Sequence, residues 1–191
     1  MTEKHLDDVT FIHLNSLKED FITSLGEYFV KNIYYKHILT SGLGFGFVCE
    51  IDNKVAGFIA GSCDSKKLHN TRIQKYWPQI GLCLLLKLIS NPVILLRVLQ
   101  VVYYMTAKHS EYEAQAELIS LAVHPEFRRK GAANLLVQEF KRHLTVLGVN
   151  KCWTKTHSVI AKKIYENAGF LKISSFKLNG RENFLFACDL G

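Results

Sequence analysis

Three consecutive cations followed by small residues are the stretch of this sequence best suited to chemistry. The cations Arg128–Lys130 precede Gly131 and a pair of alanines, after which apolar residues recur at helical spacing. This pattern predicts that a helix begins near Gly131. The uncovered N–H groups in the first turn of such a helix, at the positive end of its dipole, suit a phosphate. A solvated basic turn before an ordinary surface helix is the alternative interpretation.

An apolar segment, 117–123, comes directly before these cations and has the pattern of a strand. Both of its sides are mostly apolar, which is typical of a strand covered on both faces. Pro125 lacks an N–H to donate and would end the strand. One side of the strand would carry Glu117, Ile119, Leu121 and Val123, and the other side Leu118, Ser120 and Ala122.

This strand, turn and helix start resemble the main motif of the GNAT family of acyl-CoA-dependent N-acetyltransferases. In that motif a strand ends in Val-x-Pro, and Arg/Gln-x-x-Gly-x-Gly/Ala opens a helix. The matching residues are Val123-His124-Pro125 and Arg128-Arg129-Lys130-Gly131-Ala132-Ala133. Ala133 stands where glycine is commoner, and the motif allows it.

The resemblance implies where acetyl-CoA binds. The loop residues Arg128, Arg129, Lys130, Gly131, Ala132 and Ala133 would hold the pyrophosphate through backbone N–H groups, with Asn134 at the rim. The backbone of Leu121, Ala122 and Val123 would pair with the pantetheine arm like an added strand.

A second resemblance to the family follows in the chain, at Ser158-x-x-Ala161-x-x-x-Tyr165-Glu166-x-x-Gly169-Phe170. It implies that Ser158 and Ala161 contact the pantetheine, although Ser158 replaces the usual asparagine. It also implies that Tyr165 protonates the CoA sulfur, because a phenol with an ordinary pKa near 10 suits a donor to a thiolate. A plain core aromatic is the alternative role for Tyr165.

Amide formation from an amine and a thioester also needs a base and an oxyanion donor. Glu117 is the candidate base, directly or through water, and an ordinary solvated glutamate at a strand start is the alternative. The resemblance implies that a bulge in this strand frees a backbone N–H near Leu121 or Ala122 for the oxyanion.

Composition limits the other classes of function. With 191 residues, 48% of them hydrophobic, the chain is expected to form a single domain over residues 1–191. Five scattered cysteines and no apolar leader suit the cytoplasm. The histidines and cysteines have no metal-ligand spacing, so no metal is expected.

The net charge of +7 is uneven, because residues 1–60 carry five Lys/Arg against eight Asp/Glu and the rest carry nineteen against nine. The basic part would attract a polyanion such as CoA. Nucleic acid is not an expected partner, because the Arg128–Lys130 cluster has only Phe127 as an interleaved aromatic.

The first 62 residues have the family order of elements. The pattern predicts a strand at Val9–Leu14, a capping box at Ser16 and Glu19, and a helix or helix pair over Leu17–Leu39. A flexible glycine loop at 42–46 and a hairpin would follow, the hairpin pairing Phe47–Ile51 with Val55–Ser62 around residues 52–54.

Residues 64–110 form an insertion where the family commonly has a short loop. Two helical runs are expected, at Gln79–Ile89 and Pro92–Met105, because Asn91-Pro92 is a cap followed by proline. The insertion could pack on the sheet, form a homodimer interface, line an apolar acceptor pocket, or touch a membrane surface with help from Lys87 and Arg97. Among these, membrane contact is not expected, and no run is long enough to span a bilayer.

The chain after the motif helix predicts a strand at Lys151–Thr156, a helix from Ser158 to Gly169, and a closing hairpin. The hairpin strands would be Lys172–Leu178 and Asn183–Asp189 around Asn179-Gly180. The fold class expected is therefore α/β. It would be a GNAT fold with a mixed, mostly antiparallel sheet of six to seven strands, flanking helices, and a helical insertion between strands 3 and 4.

The expected function is transfer of an acetyl or small acyl group from CoA to a primary amine of a small molecule, in a ternary complex. One alternative is a non-catalytic GNAT-like module that binds CoA or a partner. Another is an acetyltransferase that acts on a protein amine.

Overall fold

The computed structural model describes residues 1–96, 98–100, 115–178 and 180–191, apart from the side chain of Leu178. Its strands are β1 (Gly44–Ile51), β2 (Lys54–Ser62), β3 (Ala116–Val123), β4 (Lys151–Thr156), β5 (Leu171–Leu178) and β6 (Arg181–Asp189). Its α-helices are α1 (Leu6–Ser16), α2 (Phe21–Ser24), α3 (Lys36–Thr40), α4 (Ser65–Ser90), α5 (Ala132–Val146) and α6 (Val159–Asn167). A π-helical segment, Phe29–Tyr35, runs directly into α3.

The six strands form one sheet in the order β1-β2-β3-β4-β6-β5. Every neighbouring pair is antiparallel except β3 and β4, which are parallel. Helices cover both faces of the sheet, and the apolar core consists of two large clusters and a small third one of Trp153, Leu185 and Ala187. The first cluster includes Val9, Ile33, Tyr35 and Phe58, and the second includes Val137, Phe140, Leu144 and Phe186. The mixed α/β fold expected from the sequence is confirmed, with six strands.

The predicted first strand, Val9–Leu14, is wrong, because these residues lie in helix α1. The buried residues of α1 recur at helical spacing. They are the apolar Leu6, Val9 and Ile12 and the polar Thr10 and His13. The predicted capping box is also wrong. Ser16 ends α1 and donates its hydroxyl hydrogen to the carbonyl of Val123 at 3.1 Å, and α2 begins after Asp20 instead.

The predicted flexible loop at residues 42–46 is wrong in its second half, because Gly44 begins β1. The glycines allow the strand to lie close to its neighbours. A Cβ at Gly44 would come within 2.9 Å of the Ile38 carbonyl oxygen, and one at Gly46 within 2.9 Å of that of Ile59. The hairpin that follows is confirmed, with its turn at Asp52 and Asn53 in left-handed conformations.

The insertion lies after the hairpin and before the motif strand, as expected, and these two strands are β2 and β3 of the observed sheet. Its first helix is longer than predicted, because α4 begins at Ser65, where the Asp64 carboxylate accepts a hydrogen bond from the N–H of Lys67. The helix bends at Tyr76, just before Pro78, and ends at Asn91. The second predicted run does not begin at Pro92, because residues 92 and 93 lie in a turn, but it is helical at residues 94–96 and 98–100. Residues 97 and 101–105 of that run lie outside the described residues.

The C-terminal elements match their predictions closely. Strand β4 spans Lys151–Thr156, α6 ends just before Gly169, and β5 and β6 form the closing hairpin. Asn179 of the predicted turn lies outside the described residues.

Candidate active site

The basic loop forms an open helix start, as the sequence predicts. Gly131 has a φ of +82° and caps α5, and no side chain caps the N–H groups of the first turn. Arg128, Arg129 and Lys130 are all exposed beside it. Phe127 and Ala132 are buried and anchor the two ends of the loop. Exposed cations beside uncapped N–H groups make this end of α5 suitable for an anion.

Strands β3 and β4 run side by side for a short distance and then separate. They pair only over three residue pairs, from Ala116 opposite Cys152 to Leu118 opposite Thr154. The hydroxyl of Thr154 donates to the carbonyl of Leu118 at 2.9 Å, at the last of these pairs. Because β3 continues to Val123, the edge of β3 that faces β4 is unpaired within the described residues beyond Leu118. This fork leaves room for an extended ligand to hydrogen-bond with the edge.

Leu121, Ala122 and Val123, the residues expected to pair with pantetheine, lie on this free stretch of β3. Of the three, Val123 already accepts a hydrogen bond at its carbonyl from Ser16. The expected bulge is present, because Ala60 pairs with Ser120 while the neighbouring Gly61 pairs with Leu118. The extra residue in β3 is Ile119.

The bulge corrects the predicted alternation of β3. Ile119 and Ala122 pack with the first core cluster, and Leu118 and Leu121 with the second. Ile119 and Leu121 therefore do not share a side of the strand, because one extra residue reverses the alternation beyond it.

Glu117 is 4% exposed and lies next to the fork, opposite Trp153 of β4. The Lys155 ammonium is 3.8 Å from its Oε1 atom, and this lysine is itself partly exposed. A carboxylate at this position is a candidate to accept a proton from an attacking amine. The structure thus places Glu117 as a buried, paired carboxylate rather than a solvated strand-start residue.

Tyr165 is 4% exposed and packs between Phe170 and Phe186. Burial raises the pKa of its phenol to about 12, and interaction with the Thr154 hydroxyl only partly opposes this. The phenol therefore keeps its proton at neutral pH and can donate it. Tyr165 also interacts electrostatically with Asp20, from the other end of the chain.

Ser158 caps α6, with its Oγ accepting from the N–H of Ala161 at 3.3 Å. This confirms the predicted cap and leaves the Ser158 hydroxyl hydrogen for a second acceptor. Asn134 lines a cavity of about 410 Å³ between α5 and the end of α6, together with Gln138, Lys141 and Asn167. This cavity begins one turn from the basic loop.

A larger cavity, about 490 Å³, lies beside the β1–β2 turn and helix α1. It is lined by residues such as Asp8, Asn53 and Glu126 and includes none of the fork residues. The fork rather than this cavity lies beside the buried Glu117 carboxylate, and Thr154 links it to the buried Tyr165 phenol.

Sequence reasoning missed Arg72, which α4 places beside the fork. Arg72 is 8% exposed, its Nη2 atom lies 2.5 Å from Nδ1 of His69, and its guanidinium stacks over the Tyr34 ring at 4.7 Å. Its Nη1 atom has no hydrogen-bond partner among the described residues. Burial lowers the pKa of Arg72, and the nearby Tyr34 and Glu117 oppose that shift. Arg72 lies within the insertion, where no motif marks it.

Asp20 was also missed. Burial raises the pKa of this carboxyl, and His157 and Arg181 pull it the other way. The neighbouring Glu19 holds Arg181 at 2.5 Å and lies 3.7 Å from His157. Asp20 is thus a second carboxyl near Tyr165.

No cluster of metal-binding side chains is present among the described residues. The part of the chain that the structure describes also contains no helix long and apolar enough to cross a bilayer.

Comparison with solved structures gives a consistent fold. An N-acetyltransferase from Staphylococcus aureus Mu50 superposes with a TM-score of 0.64 at 16% identity, covering 97% of this chain and 96% of its own. The PaiA N-acetyltransferase from Thermoplasma acidophilum, solved with coenzyme A, gives 0.59 at 13% identity, covering 99% and 95%. The polyamine N-acetyltransferase of Drosophila melanogaster gives 0.58 at 12% identity, covering 99% and 97%.

No curated protein matches the chain in sequence. The model of the acetyltransferase (GNAT) family matches residues 13–170, which is most of the chain. The chain therefore belongs to the GNAT family of acetyltransferases.

Proposed function

We propose that this protein transfers an acetyl or small acyl group from CoA to a primary amine of a small molecule, by direct attack within a ternary complex. The observation that carries the proposal is the fork between β3 and β4, which opens beside the uncapped start of α5. An extended ligand with a phosphate-rich end could bind the loop at Arg128–Lys130 and follow the free edge of β3. Its other end would then reach Glu117 and Tyr165.

The chemistry requires one bond to form and one to break. The amine nitrogen attacks the thioester carbonyl carbon, and its proton passes to Glu117, directly or through water. A backbone N–H near Leu121 or Ala122 stabilises the oxyanion, in the stretch of β3 that follows the bulge. The carbon–sulfur bond then breaks, and Tyr165 protonates the departing thiolate.

The surroundings of Glu117 favour an acceptor that carries an acidic group as well as its amine. Arg72 presents a buried guanidinium with one nitrogen unpartnered among the described residues, and Lys155 lies beside the base. The Arg72 guanidinium disfavours a polycationic acceptor and would pair with a carboxylate. Solved relatives include polyamine and agmatine N-acetyltransferases. We infer that the acceptor here differs from theirs.

The test combines binding and turnover on the same protein. We expect calorimetry to show acetyl-CoA binding and free-thiol release to follow addition of one class of amine. The amine panel should compare spermidine and agmatine with amines that carry a carboxylate, such as β-alanine and glutamate.

Binding without turnover by any amine in the panel would favour a non-catalytic CoA module. Turnover only with a peptide N-terminus would replace the small molecule with a protein acceptor. If neither acetyl-CoA nor a longer acyl-CoA bound, the assignment of the loop would be overturned.

A further inference from the structure

Large apolar side chains are exposed along the second half of helix α4. Leu82, Leu85, Leu86 and Ile89 recur at helical spacing, and we refer to these four as the outer face. Ile89 is 77% exposed, and Trp77, five residues before Leu82, is 70% exposed. Isolated exposed apolar residues are ordinary, whereas a continuous row of them marks an interaction surface.

The opposite side of the same helix is docked onto the domain. Ile80, Cys83 and Leu84 are partly buried and pack against the first core cluster. The Lys87 side chain lies about 3.5 Å from the position that a Cβ would take at Gly26. Helix α4 is therefore held in place by one side, while its outer face remains exposed to solvent.

Charge restricts the partner of this face. Between Ser65 and Ser110 the sequence has no aspartate or glutamate. Its cations there are Lys66, Lys67, Arg72, Lys75, Lys87, Arg97 and Lys108, of which Arg97 and Lys108 lie outside the described residues. Arg72 is buried beside the fork and Lys87 packs on the docked side, so Lys66, Lys67 and Lys75 are the exposed cations of α4. An apolar face on a segment that carries cations and no carboxylate is complementary to an anionic lipid surface.

We propose that the outer face of α4 adsorbs to the surface of an anionic membrane, with the helix lying in the interface. Leucine and isoleucine side chains would enter the boundary between headgroups and acyl chains, and the lysines would contact phosphate groups. Trp77 would sit at the headgroup level, where tryptophan is enriched.

This proposal differs from the expectation that the insertion makes no membrane contact. Surface contact helped by Lys87 and Arg97 is one of the alternatives for the insertion and is not the favoured one. The interruption of the apolar run by Lys87 and by Asn91-Pro92 argues only against a spanning helix. Exposure of the outer face could not be read from the sequence.

A second copy of the chain is the competing occupant. A two-fold pairing through the outer face would bring each helix against an identical one, and with it the same lysines. No acidic residue between Ser65 and Ser110 could neutralise them. The charge pattern thus favours lipid over self-association.

The test is partition of the purified protein onto vesicles, measured by co-sedimentation. Vesicles of phosphatidylcholine alone are compared with vesicles that contain an equal amount of phosphatidylglycerol. We expect binding to the mixed vesicles, at least tenfold weaker binding to the neutral ones, and weakening of the mixed-vesicle binding by added salt.

Tryptophan emission gives a local readout, because the chain has two tryptophans and Trp153 is only 7% exposed. Anionic vesicles should shift the emission to the blue in the wild type. In Trp77→Phe the shift should be lost while most of the binding remains, because phenylalanine keeps an aromatic ring at that position.

The deciding variant is Leu85→Glu/Ile89→Glu, which places two carboxylates on the outer face at exposed positions. It should lower the partition coefficient at least tenfold without changing acetyl-CoA binding. Val146→Glu is the matched control, since Val146 is 72% exposed on α5, away from this face. It should bind vesicles like the wild type.

Absence of binding to both kinds of vesicle would overturn the proposal, as would equal loss of binding in Val146→Glu. Sedimentation equilibrium distinguishes the competing occupant. A dimer that Leu85→Glu/Ile89→Glu dissociates, in a protein that ignores vesicles, would assign the outer face to a second copy. None of these outcomes depends on the proposed acetyl transfer.

Discussion

The Thr154 hydroxyl donates a hydrogen bond to the Leu118 carbonyl at the residue pair where β3 and β4 part. Thr154 is 1% exposed and also interacts with the phenol of Tyr165. One side chain thus joins the end of the strand pairing to the proposed acid. The position of Tyr165 relative to the fork depends on this threonine.

Replacing Thr154 with valine should therefore affect stability and turnover together. Valine removes the donor and leaves the buried Leu118 carbonyl without its partner, which costs about 1–3 kcal/mol. We expect urea unfolding to report a loss in that range and steady-state assays to report a lower kcat. Thr154→Ser keeps the hydroxyl and should recover most of the kcat. Equal kcat values for the two variants would contradict the link to Tyr165.

The loop before α5 should tolerate no negative charge. Gly131→Glu places a carboxylate among the N–H groups proposed to hold pyrophosphate, so acetyl-CoA binding by calorimetry should be abolished. Gly148→Glu is a matched control. Both glycines have positive φ and neither would place a Cβ within 4 Å of another atom, so the backbone strain is similar, about 1–2 kcal/mol.

We expect the two variants to lose similar amounts of stability. Only Gly131→Glu should also lose acetyl-CoA binding. If both variants bound acetyl-CoA as the wild type does, the pyrophosphate would have to bind elsewhere.

The contrast between what the sequence predicted and what it missed follows from distance along the chain. The strand, proline and helix start around Gly131 are determined within about twenty residues, so periodicity and turn chemistry were sufficient to predict them. Arg72 on α4 and Asp20 just before α2 reach the fork through tertiary packing, and no local pattern marks them. In α1, buried Thr10 and His13 interrupt the apolar pattern and concealed its helical period.

Tyr165→Phe should lower kcat by about 10²–10⁴-fold, the range for loss of a general acid, with little change in acetyl-CoA affinity. Because the pKa of Tyr165 is raised to about 12, its proton should remain bound across the assay range. The wild-type kcat should therefore not fall between pH 7 and pH 10 through ionisation of this residue. Thiol release, followed by stopped flow, measures the kcat of Tyr165→Phe and the pH dependence of the wild-type kcat.

Tyr35→Phe serves as the comparison, since Tyr35 is another fully buried tyrosine and contacts Nδ1 of His13 at 2.7 Å. It should reduce stability without a specific loss of kcat. An equal loss of kcat in both variants would mean that the effect reports packing rather than proton transfer.

Two carboxyls near the fork, Glu117 and Asp20, are candidates for the base. Replacing each with its amide distinguishes between them. We expect Glu117→Gln to lower kcat by about 10²–10⁴-fold. Asp20→Asn should mainly raise the KM for the amine. If Asp20→Asn caused the loss of kcat instead, Asp20 would be the base. Its raised pKa would then place the acid limb of the kcat/KM profile at a higher pH than an ordinary aspartate would.

The stability of the fold should fall on mild acidification because of His13. Burial lowers the pKa of this histidine from 6.5 to about 4, and its side chain is 1% exposed. A histidine that is neutral when folded binds more protons when unfolded, so the stability that it contributes above pH 6.5 is lost as pH falls toward 4. That loss amounts to about 2 kcal/mol at pH 5. His13→Gln cannot titrate, so its free energy of unfolding in urea should fall less between pH 7 and pH 5 than that of the wild type. Equal losses in the two proteins would show that His13 does not control the acid sensitivity.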